Sequence, residues 1–150
     1  MAQEMEIQLL RADIASLKVD AIVFPTDPQS HEHQSEHDGR AAVVTGGNLL
    51  ARFIIQVHVP QADDTNADEK LRDATRAALE RAEELAVGSV GLPAIGTEPF
   101  GFSTERCARA MVAATLEYRS RARSLQRAVF CMFGQDEYTV FDRVLKELGA

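Results

Sequence analysis

The chain lacks the marks of several large protein classes. It has two cysteines, Cys107 and Cys131, without Cys-x-x-Cys spacing, which argues against a disulfide framework or a thiolate zinc site. No apolar run approaches the ~18 residues needed to span a bilayer, and neither a secretory leader nor a lipidation signal is visible. The expectation is a reduced cytoplasmic protein with two buried thiols and no membrane role. Basic residues are in deficit: 16 Lys and Arg against 23 Asp and Glu leave a net charge of -7, a field that repels polyanions and disfavours general nucleic-acid binding. Nothing matches a nucleophile with an adjacent base, a P-loop or a dinucleotide fingerprint. There is no internal repeat or linker, and 150 residues leave no room for a second domain, so residues 1–150 are expected to form one.

What is present reads as alternating strands and helices. Glu6 to Arg11 and Val19 to Phe24 are short apolar runs of strand length. Ala41 to Thr45 and Phe53 to Val59 are two more, and Gly46, Gly47 and Asn48 between them give the backbone freedom for a hairpin-like reversal. Thr65, Asn66 and Asp68 signal a helix start, and Leu71, Ala74, Ala78, Ala82 and Leu85 follow at spacings of three and four, with Gly88 as the stop. Ser89 to Ala94 is a strand that enters the turn Ile95 to Phe102. Ser103 or Thr104 then caps a helix burying Cys107, Met111, Ala114 and Tyr118. Ala128 to Phe133 is a last strand, Gly134 to Asp136 a turn, and Val140, Val144, Leu145 and Leu148 one face of a terminal helix.

This order predicts an α/β fold with a central mixed sheet and helices on its faces. Ligands of such folds gather outside the carboxyl ends of the strands, so chemistry belongs in the loops after Arg11, Phe24, Ala94 and Phe133. Two clusters lie elsewhere. His31, His33 and His37, with carboxylates between them, are candidate zinc or nickel ligands, although their spacing matches no metal motif and a solvated polar loop accounts for them. Arg119, Arg121, Arg123 and Arg127 gather near one helix end, where they offset its dipole. His58 lies on a strand and reads as structural. No cofactor is implied.

Several segments together resemble a macro domain, the fold known for recognising ADP-ribose. Arg11-Ala12-Asp13-Ile14 is similar to the family's Gly-Asp-Ile, and Val19-Asp20-Ala21-Ile22-Val23 to its Val-Asp-Ala-Ile-Val strand. Leu92-Pro93-Ala94-Ile95-Gly96-Thr97-Glu98-Pro99-Phe100-Gly101-Phe102 resembles its Phe-Pro-Ala-Ile-Ser-Thr-Gly-x-Tyr-Gly-Phe phosphate loop. The resemblance implies a three-layer α/β/α fold. It also implies a site in which Asp13 and the Ile14 amide read adenine, Phe133 stacks on the base, and Gly96, Thr97, Phe100 and Gly101 lie along the diphosphate. Each of these has a structural alternative: a turn or capping role for Asp13, a core role for Phe133, and a tight strand-to-helix connection for the loop.

The departures from the family are equally specific. Where it continues Asn-Ala-Ala-Asn, this chain has Phe24-Pro25-Thr26-Asp27, so Asp27 occupies the position of the Asn that holds the distal ribose. The glycine-rich loop expected next is missing from the short stretch before Ala41. Glu98 stands where the family has Gly, and Pro99 offers no amide. The expectation is therefore a divergent module that binds ADP-ribose or a related adenine nucleotide without catalysis, with an ADP-ribosylated protein as a candidate partner. An ADP-ribosyl hydrolase with Asp27 as its catalytic group, and a protein-interaction domain that has lost the nucleotide site, are the alternatives.

Overall fold

The computed structural model describes residues 4–26, 42–45 and 50–149. Six strands form one sheet: β1 (Glu6–Arg11), β2 (Ala21–Thr26), β3 (Ala42–Thr45), β4 (Phe53–His58), β5 (Ser89–Leu92) and β6 (Arg127–Met132). Their spatial order is β1-β6-β5-β2-β4-β3; β3 runs antiparallel to β4, and the other neighbouring pairs are parallel. Parallel neighbours require crossovers, which α1 (Ala67–Glu84) and α2 (Thr104–Tyr118) supply between β4 and β5 and between β5 and β6. A last helix, α3 (Gln135–Leu148), follows β6. The predicted α/β class and mixed sheet are therefore present, and β3 and β4 pair antiparallel, while Gly46, Gly47 and Asn48 of the expected reversal lie outside the described residues.

Strand alternation divides the core into two layers. Ala21 and Val23 of β2, and Ala128, Phe130 and Met132 of β6, pack with Leu71 and Leu79 of α1, Met111 of α2 and Phe141 of α3. Ile22, Val129 and Cys131 point the other way and pack with Leu17, Val19 and Ala51. Among the described residues, all three α-helices cover the first face, and a single helical turn at Ile14–Ser16 with its flanking chain covers part of the second.

The structure corrects several element boundaries. β2 begins at Ala21 rather than Val19 and runs on through Pro25. Beyond Ile22 its pairing with β5 stops, so Pro25 needs ladder bonds on one side only. β5 ends at Leu92, two residues before the expected Ala94, and β6 ends at Met132, leaving Phe133 outside the sheet. Asn66 precedes α1 in a left-handed conformation (φ 57°) and makes no side-chain cap bond. Ser103 does cap α2, its hydroxyl accepting from the Arg106 amide at 3.1 Å. On α3 the buried positions are Phe141, Val144 and Leu145, and Leu148 is largely exposed.

Gly88 was expected to end α1, but the chain already turns at Ala86, whose φ is 58°. Gly88 serves a different contact. One Asp20 oxygen accepts from the Gly88 and Ser89 amides at 2.9 and 3.2 Å, while the Ser89 hydroxyl accepts from the Asp20 amide at 3.0 Å. The carboxylate before β2 thus fixes the start of β5. Asp20→Ala should lower the unfolding free energy by ~2 kcal/mol, because it strands two half-buried amides, and Asp20→Asn should cost less. Urea midpoints would check the order; equal stability in all three proteins would rule out this role.

Candidate functional site

The carboxyl ends of β1, β6 and β5 meet at a cleft of about 250 Å³. The β1–β6 pairing continues one step past the strand, since the Ala12 amide donates to the Met132 carbonyl at 3.1 Å. The Cys131 thiol also donates to the Ala12 carbonyl, at 3.2 Å. These bonds bring the residues after both strands to one place. Asp13 and Ile14 form one wall, Phe133 another, and Pro93 and Ala94 contribute from the β5 end.

Asp13 caps the turn that follows it: its Oδ1 accepts from the Ala15 amide at 3.0 Å, and its carbonyl accepts from the Ser16 hydroxyl at 2.8 Å. The capping role expected of an isolated Asp is real, and it engages one of two carboxylate oxygens. Phe133 is 75% exposed, in contrast to Phe130 in the strand just before it, which is fully buried. A core role for Phe133 is thereby excluded. Its ring is available at the mouth of the cleft.

The Ile95 to Phe102 turn adjoins this cleft along the chain and is tightly built. The amides of Phe100 and Gly101 both donate to the Thr97 carbonyl (2.7 and 2.9 Å), and the Phe102 amide donates to the Gly96 carbonyl (3.0 Å). The Thr97 hydroxyl donates to the Ala94 carbonyl at 3.1 Å. Gly96 is a packing glycine, since a Cβ there would lie 2.8 Å from Leu71 Cδ2 and 3.1 Å from Phe102 Cδ1. Gly101 is needed for another reason, a φ of 91°. Phe100 is buried, whereas Glu98 and Pro99 are exposed at the tip. The amides of Phe100, Gly101 and Phe102 are thus spent within the turn, and those of Ile95, Thr97 and Glu98 lie outside this set.

Behind the turn, the Gly96 amide donates to Cys107 Sγ at 3.3 Å. Burial pushes the Cys107 thiol up to about 12, against the opposing pull of that amide, and the nearby Glu137 carboxylate adds to the rise. Burial likewise raises Cys131. Neither is a thiolate at neutral pH, so neither acts as a nucleophile.

Glu137, on the first turn of α3, also lines the cleft and was missed from sequence. It was absorbed into the reading of a terminal amphipathic helix. The available signal was its place four residues after Phe133, on a helix starting directly behind the last strand. His58 sits half-buried on β4, as a structural histidine would. The Arg119 to Arg127 group surrounds the opposite, amino-terminal end of β6. Arg119 pairs with Glu4 at 3.5 Å, and Arg127 donates to Gln8 Oε1 and the Lys18 carbonyl. Asp27, His31, His33 and His37 lie outside the described residues, and among the described residues no His, Cys, Asp or Glu cluster could hold a metal.

A larger groove of about 660 Å³ lies along the start of α1, away from these loops. Its cations are committed: Arg72 to Glu117, Arg76 to Asp73 and Arg106 to Asp68. Such exposed pairs each contribute ~0–1 kcal/mol to stability and leave the groove's cations facing carboxylates rather than an open site. The smaller cleft at the strand ends is therefore the better candidate.

The Macro domain family model matches residues 12–111. The chain belongs to the macro domain family. A relative from Pyrobaculum aerophilum is 30% identical over 169 aligned positions, covering 95% of this chain and 92% of that protein. Another, from Sulfolobus acidocaldarius, is 39% identical over 106 positions; the match covers 71% of this chain and 57% of the longer relative. Among solved structures, a macrodomain of Oceanobacillus iheyensis with ADPR superposes with a TM-score of 0.79 at 18% identity, covering 93% of this chain and 91% of that one. A Trypanosoma brucei macrodomain in complex with ADP gives 0.81 at 19% identity, covering 93% and 69%. The macro fold thus persists at low identity. Among the described residues, no helix is long and apolar enough to cross a membrane.

Proposed function

We propose that this macro domain binds ADP-ribose or a related adenine nucleotide, held mainly by its adenine end and without catalysis. The observation that carries this reading is the exposed Phe133 ring sharing one cleft with Asp13 and Ile14. An exposed aromatic can stack on a base for ~1–3 kcal/mol, and the free oxygen of Asp13 can accept from an exocyclic amine while the Ile14 amide faces a ring nitrogen. The solved macrodomains with ADPR and with ADP support the ligand class. An ADP-ribosylated protein in the cytoplasm is the partner this reading suggests.

The case against turnover rests on Phe24 at a family Asn position. Its side chain packs with the apolar layer of Ile22 and Val129, so it supplies no polar group to a reacting sugar. A specific observation favours a second reading, a protein-interaction domain without a nucleotide site: the Phe100, Gly101 and Phe102 amides of the phosphate-loop segment are spent within the turn, and Glu98 adds negative charge at its tip.

Calorimetric titration with ADP-ribose, AMP and ribose 5-phosphate separates these readings, because the ligands divide the site into parts. Saturable binding of ADP-ribose and AMP, with none for ribose 5-phosphate, is the expected result. If neither adenine ligand binds, the interaction reading takes its place. Incubation with an ADP-ribosylated protein should release no ADP-ribose; robust release that is lost in Asp27→Ala would establish the hydrolase instead.

A further inference from the structure

The two strands that end at the cleft leave one bond of their ladder unmade. In a parallel pair, a residue that donates to a carbonyl of its neighbour accepts from the neighbour's amide two residues farther on. The Ala12 amide donates to the Met132 carbonyl, so the Ala12 carbonyl would accept from the Gly134 amide if the pairing continued. It does not continue, because β6 ends at Met132 and Phe133 turns out to the mouth of the cleft. Among the described residues, no backbone amide donates to the Ala12 carbonyl. Ala12 is half-buried, and its carbonyl accepts instead from Cys131 Sγ at 3.2 Å. Burial raises the Cys131 thiol above its ordinary range, so at neutral pH it carries the proton this bond uses.

The carbonyl in question belongs to the peptide plane that joins Ala12 to Asp13. With its amide held by Met132 and its carbonyl by Cys131, Ala12 has both backbone groups fixed as the chain enters the cleft. Planarity of the peptide then fixes the Asp13 amide as well. On the far side, Asp13 Oδ1 accepts from the Ala15 amide at 3.0 Å. One constraint acts before the Asp13 Cα and the other after it, so the second carboxylate oxygen and the Ile14 amide are held in one orientation. Cys131 is 3% exposed and lines the same cleft, so it acts from the wall of the site.

We propose that Cys131 is a positioning residue for base recognition: its thiol takes the place of the missing ladder bond at Ala12 and so aims Asp13 and the Ile14 amide at the edge of adenine. The inference rests on the adenine-end reading above. A donor and an acceptor discriminate between bases only while they are held to within about 0.5 Å, and the groups behind them supply that precision. Losing the thiol donor therefore affects which base is bound, beyond any effect on stability.

Calorimetry with AMP and IMP reads this directly. IMP has an oxygen in place of the exocyclic amine and a protonated N1 in place of an acceptor, so it opposes both Asp13 and the Ile14 amide. The unmodified chain should prefer AMP by about tenfold or more. Cys131→Ala and Cys131→Val both remove the donor, one leaving space and the other filling it, and each should lower the AMP-over-IMP ratio by about threefold or more. Cys131→Ser keeps a donor and should hold the ratio within about twofold of the unmodified chain. A thiol that served packing alone would shift thermal midpoints and leave the ratio unmoved. An unchanged ratio in both donor-free variants, or a ratio that falls as far in Cys131→Ser as in Cys131→Ala, would overturn the role of Cys131 and leave the adenine reading intact. Failure of the unmodified chain to bind AMP, or equal binding of AMP and IMP, would overturn both.

Discussion

Phe141→Ala is expected to lower the unfolding free energy by ~3–5 kcal/mol, the range for removing a fully buried aromatic ring. Phe141 is wholly inaccessible to solvent, and its ring centroid lies 5.5 Å from that of Phe130 at an interplanar angle of 44°. The pair joins α3 to β6, so the cavity would open where the last helix meets the sheet. With domain stabilities of ~5–15 kcal/mol, the loss would take a large share of the total. Phe133→Ala is the matched control, since its exposed ring supports no core and its removal should change stability by less than about 0.5 kcal/mol. Equal denaturant midpoints for Phe141→Ala and the unmodified chain would show that α3 is not anchored in this way.

The contrast between these two phenylalanines shows what the sequence could and could not reveal. Phe130 and Phe133 lie in one apolar run, Phe130-Cys131-Met132-Phe133, and composition gives both the same reading. Strand alternation would place them on opposite faces, but only the end of β6 at Met132 decides that Phe133 leaves the sheet altogether. Phe141 was overlooked because Val140, four residues before Val144, completes a helical stripe without it. In the fold the last turn of α3 runs past the core, and Leu148 is exposed there.

Element order was legible because its signals are local, apolar periodicity and the Ser103 cap, whereas the turn expected over Gly134 to Asp136 is already the start of α3 at Gln135. The family motifs added Asp13, Ile14 and the strand-end loops, which the structure does bring to one side of the sheet. Roles that depend on distant partners were not legible. Asp20 reads as one letter of a strand motif, yet its partners are 68 and 69 residues away. Gly96 reads as phosphate-loop glycine, while the neighbours that demand it are Leu71 and Phe102. Glu137 became a cleft residue only through the packing of α3 against β1 and β6.

The two halves of the proposed ligand should respond oppositely to substitution. Asp13→Asn preserves an oxygen to accept from the Ala15 amide and so keeps the cap, but its second group becomes a donor that faces the donor amine of adenine. The loss of a charge-assisted bond worth ~1.5–3 kcal/mol should weaken ADP-ribose by about tenfold or more, with little change in thermal stability. At the other end, Glu98→Gly removes a negative charge from the exposed tip of the turn beside the expected diphosphate and restores backbone freedom there. Affinity for ADP-ribose should rise, and because the site is exposed the gain should shrink as salt is added. AMP, lacking the second phosphate and the distal sugar, should gain less from Glu98→Gly while losing as much from Asp13→Asn. Calorimetry of both variants at low and high ionic strength measures these shifts together. If Asp13→Asn leaves ADP-ribose binding unchanged, or Glu98→Gly weakens it, the binding mode of the family does not carry over to this chain, and the spent amides of the Ile95 to Phe102 turn are better explained by an interaction domain that keeps the fold alone.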